Sequence, residues 1–188
     1  MKKLLAAVAM MAALACNSAA NAADIKVTKV GKVYVVNVSG DIERGDDKKF
    51  DAATRKLPPG SALVALHSAG GALTAGLNIG ITIRQKNFVT YAGECASVCA
   101  YAWLAGSTRF VDKNTVLGFH SAYTFSENDK PEVTSSGNAL AGAYLARIIG
   151  LGYEAIAVLT DVKPENMLWL DPAMANKLGI RFSVFKSS

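Results

Sequence analysis

The fold is decided by two stretches of the sequence, ALVALHSAGGALTAG at residues 62–76 and FVTYAGECASVCAYAWL at residues 88–104. In each stretch, small residues separate an apolar run from a segment with helical character. This order predicts a strand, a tight turn and a helix, twice in succession. The first turn contains Gly70-Gly71, and the second contains Ser97.

His120 follows the next apolar run, at residues 116–119. A glycine pair after a strand exposes backbone N–H groups, a serine at a helix start presents its hydroxyl to a cleft, and a histidine accepts the hydroxyl proton. Taken singly, Ser97 also fits a helix N-cap, and His120 also fits a structural histidine. Taken in order, Gly71, Ser97 and His120 indicate a serine hydrolase site.

Residues 1–22 have the pattern of a secretory signal peptide. Two lysines precede an apolar run at residues 4–15, and residues 20–22 (Ala-Asn-Ala) form a small-x-small cleavage site. We expect cleavage after Ala22, which leaves residues 23–188 as a single domain in the periplasm or outside the cell.

The three cysteines allow several interpretations. Cys16 lies in the leader, and a lipid anchor there is the alternative to simple cleavage, although the sequence before it matches a lipobox only in part. Export permits a disulfide between Cys95 and Cys99, and two small buried thiols are the alternative. Two thiols alone are an incomplete zinc site, so we expect no metal and no cofactor.

Charge and hydropathy exclude two classes of partner. The chain has a net charge of +5, and the leader lysines account for two of these charges. The remaining lysines are scattered and lack interleaved aromatic residues, so we expect no nucleic-acid partner. No second apolar stretch is long enough for a transmembrane helix, so we expect no membrane span.

Apolar periodicity predicts an α/β fold in which strands alternate with helices. The predicted strands lie at residues 33–38, 62–66, 88–91, 109–111, 116–119 and 180–185. The predicted helices lie at residues 46–56, 71–84, 97–104, 139–149, 153–159 and 171–178, the last with Asp171 as N-cap before Pro172. The polar stretch at residues 126–137 is expected to be a flexible surface loop.

The stretch from residue 62 to residue 120 resembles the Clp protease proteolytic subunit, within the Clp/crotonase superfamily. Ser68-Ala69-Gly70-Gly71 stands where the family has Ser-Pro-Gly-Gly, and Thr74-Ala75-Gly76 matches its Thr-Ala-Gly. Residues 93–97 stand at the family's Gly-x-Ala-Ala-Ser, and Phe119-His120 at its Ile-His. The resemblance extends over about two-thirds of the mature chain, and the leader makes the chain most similar to exported Clp-like proteins.

The resemblance implies a fold of repeated strand-strand-helix units and a role for each matching residue. Ser97 would be the nucleophile and His120 the general base, while the N–H groups of Gly71 and Val98 would bind the oxyanion. The family forms ring-shaped homo-oligomers, so a homo-oligomer is expected. The family's cytoplasmic ATPase partner is not expected for an exported chain.

The third member of the triad is where the sequence departs from the family. The resemblance places Met167 at the family's acidic position. Asn166 is one residue away, and an asparagine can orient a histidine, so Asn166 is the first candidate for the third member. A Ser-His pair without a third group remains open, as do three acidic alternatives: Asp161, Glu165 and Asp171.

These features predict an exported, ATP-independent serine peptidase or acyl hydrolase that acts on a peptide or small acyl substrate. The alternative is a non-catalytic binding or scaffolding protein on the same fold. A crotonase-like acyl-CoA enzyme is disfavoured, because coenzyme A is cytoplasmic. His67, the other histidine, has no family counterpart and is expected to be structural or to line the substrate site.

Overall fold

The computed structural model describes residues 22–185, so the predicted leader lies outside the described residues except for Ala22. Strands β1 to β10 lie at Asp24–Val30, Val33–Ser39, Ala62–Ser68, Val89–Ala96, Arg109–Asp112, Leu117–Phe119, Tyr123–Phe125, Pro131–Val133, Leu168–Trp169 and Ser183–Phe185. Helices α1 to α6 lie at Asp46–Thr54, Leu73–Gln85, Val98–Leu104, Ser135–Tyr144, Tyr153–Thr160 and Pro172–Lys177. One π-helical turn, Leu145–Ile149, continues α4.

Eight of these strands form one sheet, whose main path runs β1-β2-β3-β4-β5-β10. Neighbours on this path are parallel except for β1 and β2, which are antiparallel. The short strand β6 pairs in parallel with the end of β4, and β9 pairs antiparallel with β6. The prediction of an α/β fold is confirmed: β1, β2 and α1 follow as strand, strand and helix, and β3 and β4 are each followed by a helix.

The helices bury one face of the sheet. Along β2 and β3 the inward-facing residues Val36, Val38, Val64 and Leu66 are at most 1% exposed, and they alternate with more exposed residues on the other face. Helices α2 and α3 pack closely because α2 has a glycine at their contact. A Cβ on Gly76 would lie 2.3 Å from a Val98 methyl group. This contact fixes the start of α3.

The carboxyl ends of three adjacent parallel strands meet at one edge of the sheet. Ser68 at the end of β3 pairs with Cys95 of β4, and Cys95 pairs with Leu117 of β6. The turns that follow β3, β4 and β6 therefore lie side by side. Such strand ends are the common location of ligand sites in α/β sheets.

Several sequence predictions differ from the structure. Strand β4 continues to Ala96 instead of ending near residue 91, because β3 and β6 supply backbone partners for its last residues. The predicted loop at residues 126–137 contains strand β8, which pairs antiparallel with β7 to form a hairpin, and the first residues of α4. Helix α4 accordingly begins at Ser135 rather than at residue 139.

Besides β7 and β8 of the hairpin, two further strands, β1 and β9, were not predicted. Strand β1 is an edge strand with six exposed residues among its seven, so it lacks the apolar alternation of a half-buried strand. Strand β9 has two residues and is too short for a periodic pattern. Among the described helices, none has the length and apolar character needed to cross a membrane.

Candidate active site

Ser97 occupies a strained turn between β4 and α3. Its φ is 55° and its ψ is −132°, a conformation that non-glycine residues rarely adopt. Its N–H donates to the Gly118 carbonyl over 2.8 Å, and its side chain does not cap the helix. Ser97 therefore occupies the N-cap position of α3 without a side-chain capping hydrogen bond, and the backbone strain requires another explanation.

The predicted disulfide is present and encloses this turn. Cys95 lies in β4, Cys99 lies in the first turn of α3, and their sulfur atoms are bonded. Both residues are at most 1% exposed. The bridge ties the strand to the helix on either side of Ser97, so the turn is covalently closed.

The glycine pair lies against Ser97 on one side and against Ile42 on the other. Gly70 has φ 115° and Gly71 has φ 130°, both in the region that favours glycine. A Cβ on Gly70 would lie 2.6 Å from the Ser97 Cβ, and a Cβ on Gly71 would lie 2.2 Å from the Ile42 carbonyl oxygen. Ile42 also donates to the Gly70 carbonyl over 2.7 Å and accepts from the Ala72 N–H over 2.6 Å. Side chains are thus excluded from both glycine positions.

Two backbone N–H groups at this site have no acceptor among residues 22–185. The Gly71 N–H takes part in none of the hydrogen bonds of its loop, although both neighbouring residues, Gly70 and Ala72, donate one. The Val98 N–H belongs to the first residue of α3, where a helix offers no internal acceptor. Both Gly71 and Val98 line the same cavity, and an oxyanion hole is built from backbone N–H donors of this kind.

His120 follows β6 and lines this cavity together with Ser97. Its residue is 8% exposed, and its ring lies 5.3 Å from the ring of Tyr123. The buried hydroxyl of Tyr101 shares its proton between the carbonyls of Leu159, 3.2 Å away, and His120, 3.3 Å away, and burial raises the pKa of Tyr101, which keeps this hydroxyl protonated. Among residues 22–185, the His120 ring bonds to the Ser121 carbonyl, and no hydrogen bond joins it to the Ser97 hydroxyl. Such bonds are often long before a substrate binds.

The partner of the His120 ring is a backbone carbonyl. Nδ1 lies 2.7 Å from the carbonyl oxygen of Ser121. Ser121 is itself anchored, because its hydroxyl donates to the Thr160 carbonyl and its N–H donates to the Val162 carbonyl, each over 2.7 Å. A carbonyl oxygen only accepts, so Nδ1 carries a proton in this contact and Nε2 is the nitrogen left to accept one.

The candidates for the third triad member lie elsewhere. None of the four lines the cavity or bonds to His120: Asn166, Asp161, Glu165 and Asp171. Asn166 is exposed, and Asp171 caps α6 by accepting from the Met174 N–H over 2.7 Å, as its Asp-Pro sequence predicted. The Ser121 carbonyl, rather than the Asn166 side chain, contacts Nδ1 of the His120 ring. No side-chain motif in the sequence indicates that a backbone carbonyl orients this ring.

The cavity that these residues share has a volume of about 950 Å³. Aromatic side chains of Tyr101, Tyr123 and Phe125 form part of its wall, and Phe125 is 62% exposed. Tyr123 and Phe125 belong to β7, the first strand of the hairpin, which lies just before the predicted loop and was not predicted as a strand. Two acidic residues, Glu43 and Asp47, and one basic residue, Arg44, also line the cavity.

His67 lies away from this cavity, on the open face of the sheet. Its Nδ1 accepts from the Glu94 N–H over 3.4 Å, and its Nε2 lies 4.0 Å from a Glu94 carboxylate oxygen. It lines two smaller cavities with Glu94 but not the one that contains Ser97. The described residues contain no cluster of three metal-ligating side chains.

No protein-family model matches the chain, and no curated protein matches it. Among solved structures, a ClpP1 variant from Listeria monocytogenes superposes with a TM-score of 0.63 at 20% identity, covering 81% of this chain and 91% of that one. A variant of a membrane-bound stomatin-specific protease superposes with a TM-score of 0.61 at 20% identity, covering 81% and 79%. The chain therefore has the Clp-protease-like fold that its sequence resemblance implied.

Proposed function

We propose that the chain is a serine peptidase or acyl hydrolase with Ser97 as nucleophile and His120 as general base. One observation carries this proposal: a strained, uncapped serine shares a cavity with a histidine and with two backbone N–H groups that have no acceptor among the described residues. Backbone strain at one polar residue is characteristic of a functional site. The likeness to two structures named as proteases or Clp subunits supports the same reaction class.

The reaction would proceed through an acyl-enzyme. Ser97 Oγ attacks the substrate carbonyl carbon and gives its proton to His120 Nε2, while the carbonyl oxygen becomes an oxyanion bound by the Gly71 and Val98 N–H groups. The carbon–leaving-group bond then breaks, and the leaving amine or alkoxide takes the proton from His120. A water molecule then attacks the ester carbonyl of the acyl-enzyme and gives a proton to His120. The acid is released when the bond to Ser97 Oγ breaks, and Oγ takes the proton back from His120.

The aromatic wall suggests which part of a substrate the cavity binds. Tyr123 and Phe125 lie on the hairpin next to His120, and Phe125 is largely exposed. Exposed aromatic rings in a cavity favour contact with an apolar side chain or acyl chain. We propose that the substrates are flexible peptides or small esters with an apolar group beside the scissile carbonyl.

The proposed compartment is the periplasm or the cell exterior, with cleavage after Ala22. The Cys95–Cys99 disulfide is consistent with an oxidising compartment. No ATP is available to an unfolding partner there, so we propose that the protein works without an ATPase. We further propose a homo-oligomer, since symmetric assemblies are common for such folds.

The Ser121 carbonyl takes the orienting role of the missing acid in this proposal, and the two histidines then have opposite tautomers. His120 is expected to carry its proton on Nδ1, which donates to a carbonyl. His67 is expected to carry its proton on Nε2, because its Nδ1 accepts from an N–H. Long-range proton–nitrogen NMR correlations of the two rings in alkaline buffer distinguish these forms. An Nε2-protonated His120 would contradict the orienting role of Ser121.

A fluorophosphonate probe tests the proposed function directly. The probe should form a covalent adduct on Ser97 in the wild-type protein and none in Ser97→Ala. The absence of a Ser97–His120 hydrogen bond among the described residues favours one second candidate, a binding or scaffolding protein on this fold. A wild-type protein that is folded but never labelled, across the pH range of stability, supports that second candidate.

A further inference from the structure

Asp46 is a buried carboxylate that the proposed reaction does not use. It lies at the start of α1 and is 0% exposed. Its Oδ1 contacts the Lys49 ammonium over 2.8 Å, and the Lys49 side chain is 57% exposed. Its Oδ2 accepts two backbone N–H groups, from Glu43 over 2.7 Å and from Ala23 over 3.0 Å. One oxygen thus has a charged partner, and the other has two neutral ones.

Ala23 is the residue that cleavage after Ala22 would make the first of the chain. It is 5% exposed, whereas the preceding Ala22 is exposed. Hydrolysis of the Ala22–Ala23 peptide bond consumes one water and leaves a carboxylate on Ala22 and an amino group on Ala23. At neutral pH this amino group takes a proton and becomes an ammonium ion.

We infer that the new amino group of Ala23 forms a buried ion pair with Asp46, and that this pair fixes the segment that supports Gly71. The inference rests on the export and cleavage proposed above. The nitrogen already lies within hydrogen-bond distance of Oδ2, so cleavage changes its charge without requiring it to move. Charge-assisted hydrogen bonds are about twice as strong as neutral ones.

The charge state of Asp46 fits this role. Burial raises the pKa of Asp46, but the hydrogen bonds from Lys49, Glu43 and Ala23 outweigh burial, and its pKa lies below the ordinary value. The carboxylate is therefore ionised at neutral pH and able to pair with an ammonium ion. Lys49, on the exposed side, leaves Oδ2 for the chain terminus.

Glu43 and Ile42 connect the Ala23–Asp46 contact to the loop that contains Gly71. Asp46 closes a turn with Glu43, since its carboxylate accepts the Glu43 N–H and its own N–H donates to the Glu43 carbonyl over 3.1 Å. Ile42 precedes this turn and bonds to Gly70 and Ala72 on both sides of Gly71. An ion pair that restricts the motion of the Asp46 turn would therefore also fix the position of Ile42. The hydrogen bonds of Ile42 to Gly70 and Ala72 would in turn fix the Gly71 N–H at the cavity. Removal of the leader would in this way complete the site.

The experiment compares the chain that begins with a free amino group at Ala23 with the same chain acetylated on that group. The acetyl group keeps the N–H donor and removes the charge. We expect acetylation to lower Tm by about 4 °C in the wild type, to slow fluorophosphonate labelling at least about threefold, and to leave Tm unchanged within about 1 °C in Asp46→Asn. Asp51→Asn, an exposed aspartate on the same helix, is the control and should keep the wild-type response.

Each result decides the inference. An acetylated wild-type protein with an unchanged Tm overturns the ion pair, whatever Asp46→Asn does. If Asp46→Asn does not fold, the wild-type comparison still decides. If acetylation lowers Tm but neither the free nor the acetylated protein reacts with the fluorophosphonate, the ion pair is supported and the proposed hydrolase activity is contradicted. Intact mass of the exported protein should correspond to a chain starting at Ala23, and a retained leader or a lipid on Cys16 overturns the inference.

Discussion

Alanine at Ser97, at His120 or at both positions is expected to lower the rate of hydrolysis of a reactive ester by about the same factor, on the order of 10³ or more. The reason is that the two residues act in one step. Without the hydroxyl there is nothing to deprotonate, and without the imidazole the hydroxyl is a poor nucleophile. Removing the second partner therefore adds little to the loss caused by removing the first.

The chain offers a matched control for this pair. Ser39 and His67 are register partners on neighbouring strands β2 and β3, away from the active-site cavity. Ser39→Ala, His67→Ala and their double variant should retain the wild-type rate. Rates and melting temperatures of all six variants make the comparison. If His120→Ala retained full activity, or if the losses at Ser97 and His120 multiplied, the two would not function as a pair.

The location of the site follows from a general property of parallel sheets, and for this reason the sequence could predict it. Gly71, Ser97 and His120 each come directly after an apolar run, and the carboxyl ends of neighbouring parallel strands meet at one edge. The structure places all three on one cavity, as that property requires. The disulfide was also foreseeable, since residues four apart across a strand-to-helix turn lie close together.

The orienting group of His120 could not be predicted in the same way. Its acceptor is the backbone carbonyl of Ser121, and every residue has such a carbonyl. What distinguishes this carbonyl is that Ser121 is anchored to Thr160 and Val162, about forty positions along the chain. Sequence patterns describe local periodicity, so a contact set by distant backbone atoms leaves no signal in them.

The hairpin that forms part of the cavity wall was missed for a different reason. Strands β7 and β8 have three residues each, and all six are exposed. Three residues are too few to establish the alternation of apolar and polar residues that identifies a strand, and Pro131 at the start of β8 indicated a loop. The Ala23–Asp46 contact escaped similarly, because it joins a buried carboxylate to a backbone N–H 23 positions away.

Gly71→Ala is expected to remove most of the activity while leaving a folded protein. Its Cβ would lie 2.2 Å from the Ile42 carbonyl oxygen, which is backbone, so either Ile42 or the loop must move. A displacement of about 1 Å at a reacting group costs about 100-fold in rate, and loss of one oxyanion donor costs about 100-fold to 1,000-fold. We expect kcat/KM to fall by about 100-fold or more, chiefly through kcat.

Gly31→Ala separates this effect from the backbone strain that alanine brings. Gly31, in the turn between β1 and β2, also has positive φ, but a Cβ there would meet nothing within 4 Å. Alanine at Gly31 should lower stability by about 1–2 kcal/mol through the left-handed conformation alone, with kcat/KM unchanged. The two variants, compared by Tm and by ester kinetics, should therefore share a loss of stability and differ in rate. Equal kcat/KM values in the two variants would mean that Gly71 supplies no oxyanion donor, and that its φ and its contact with Ile42 serve the fold alone.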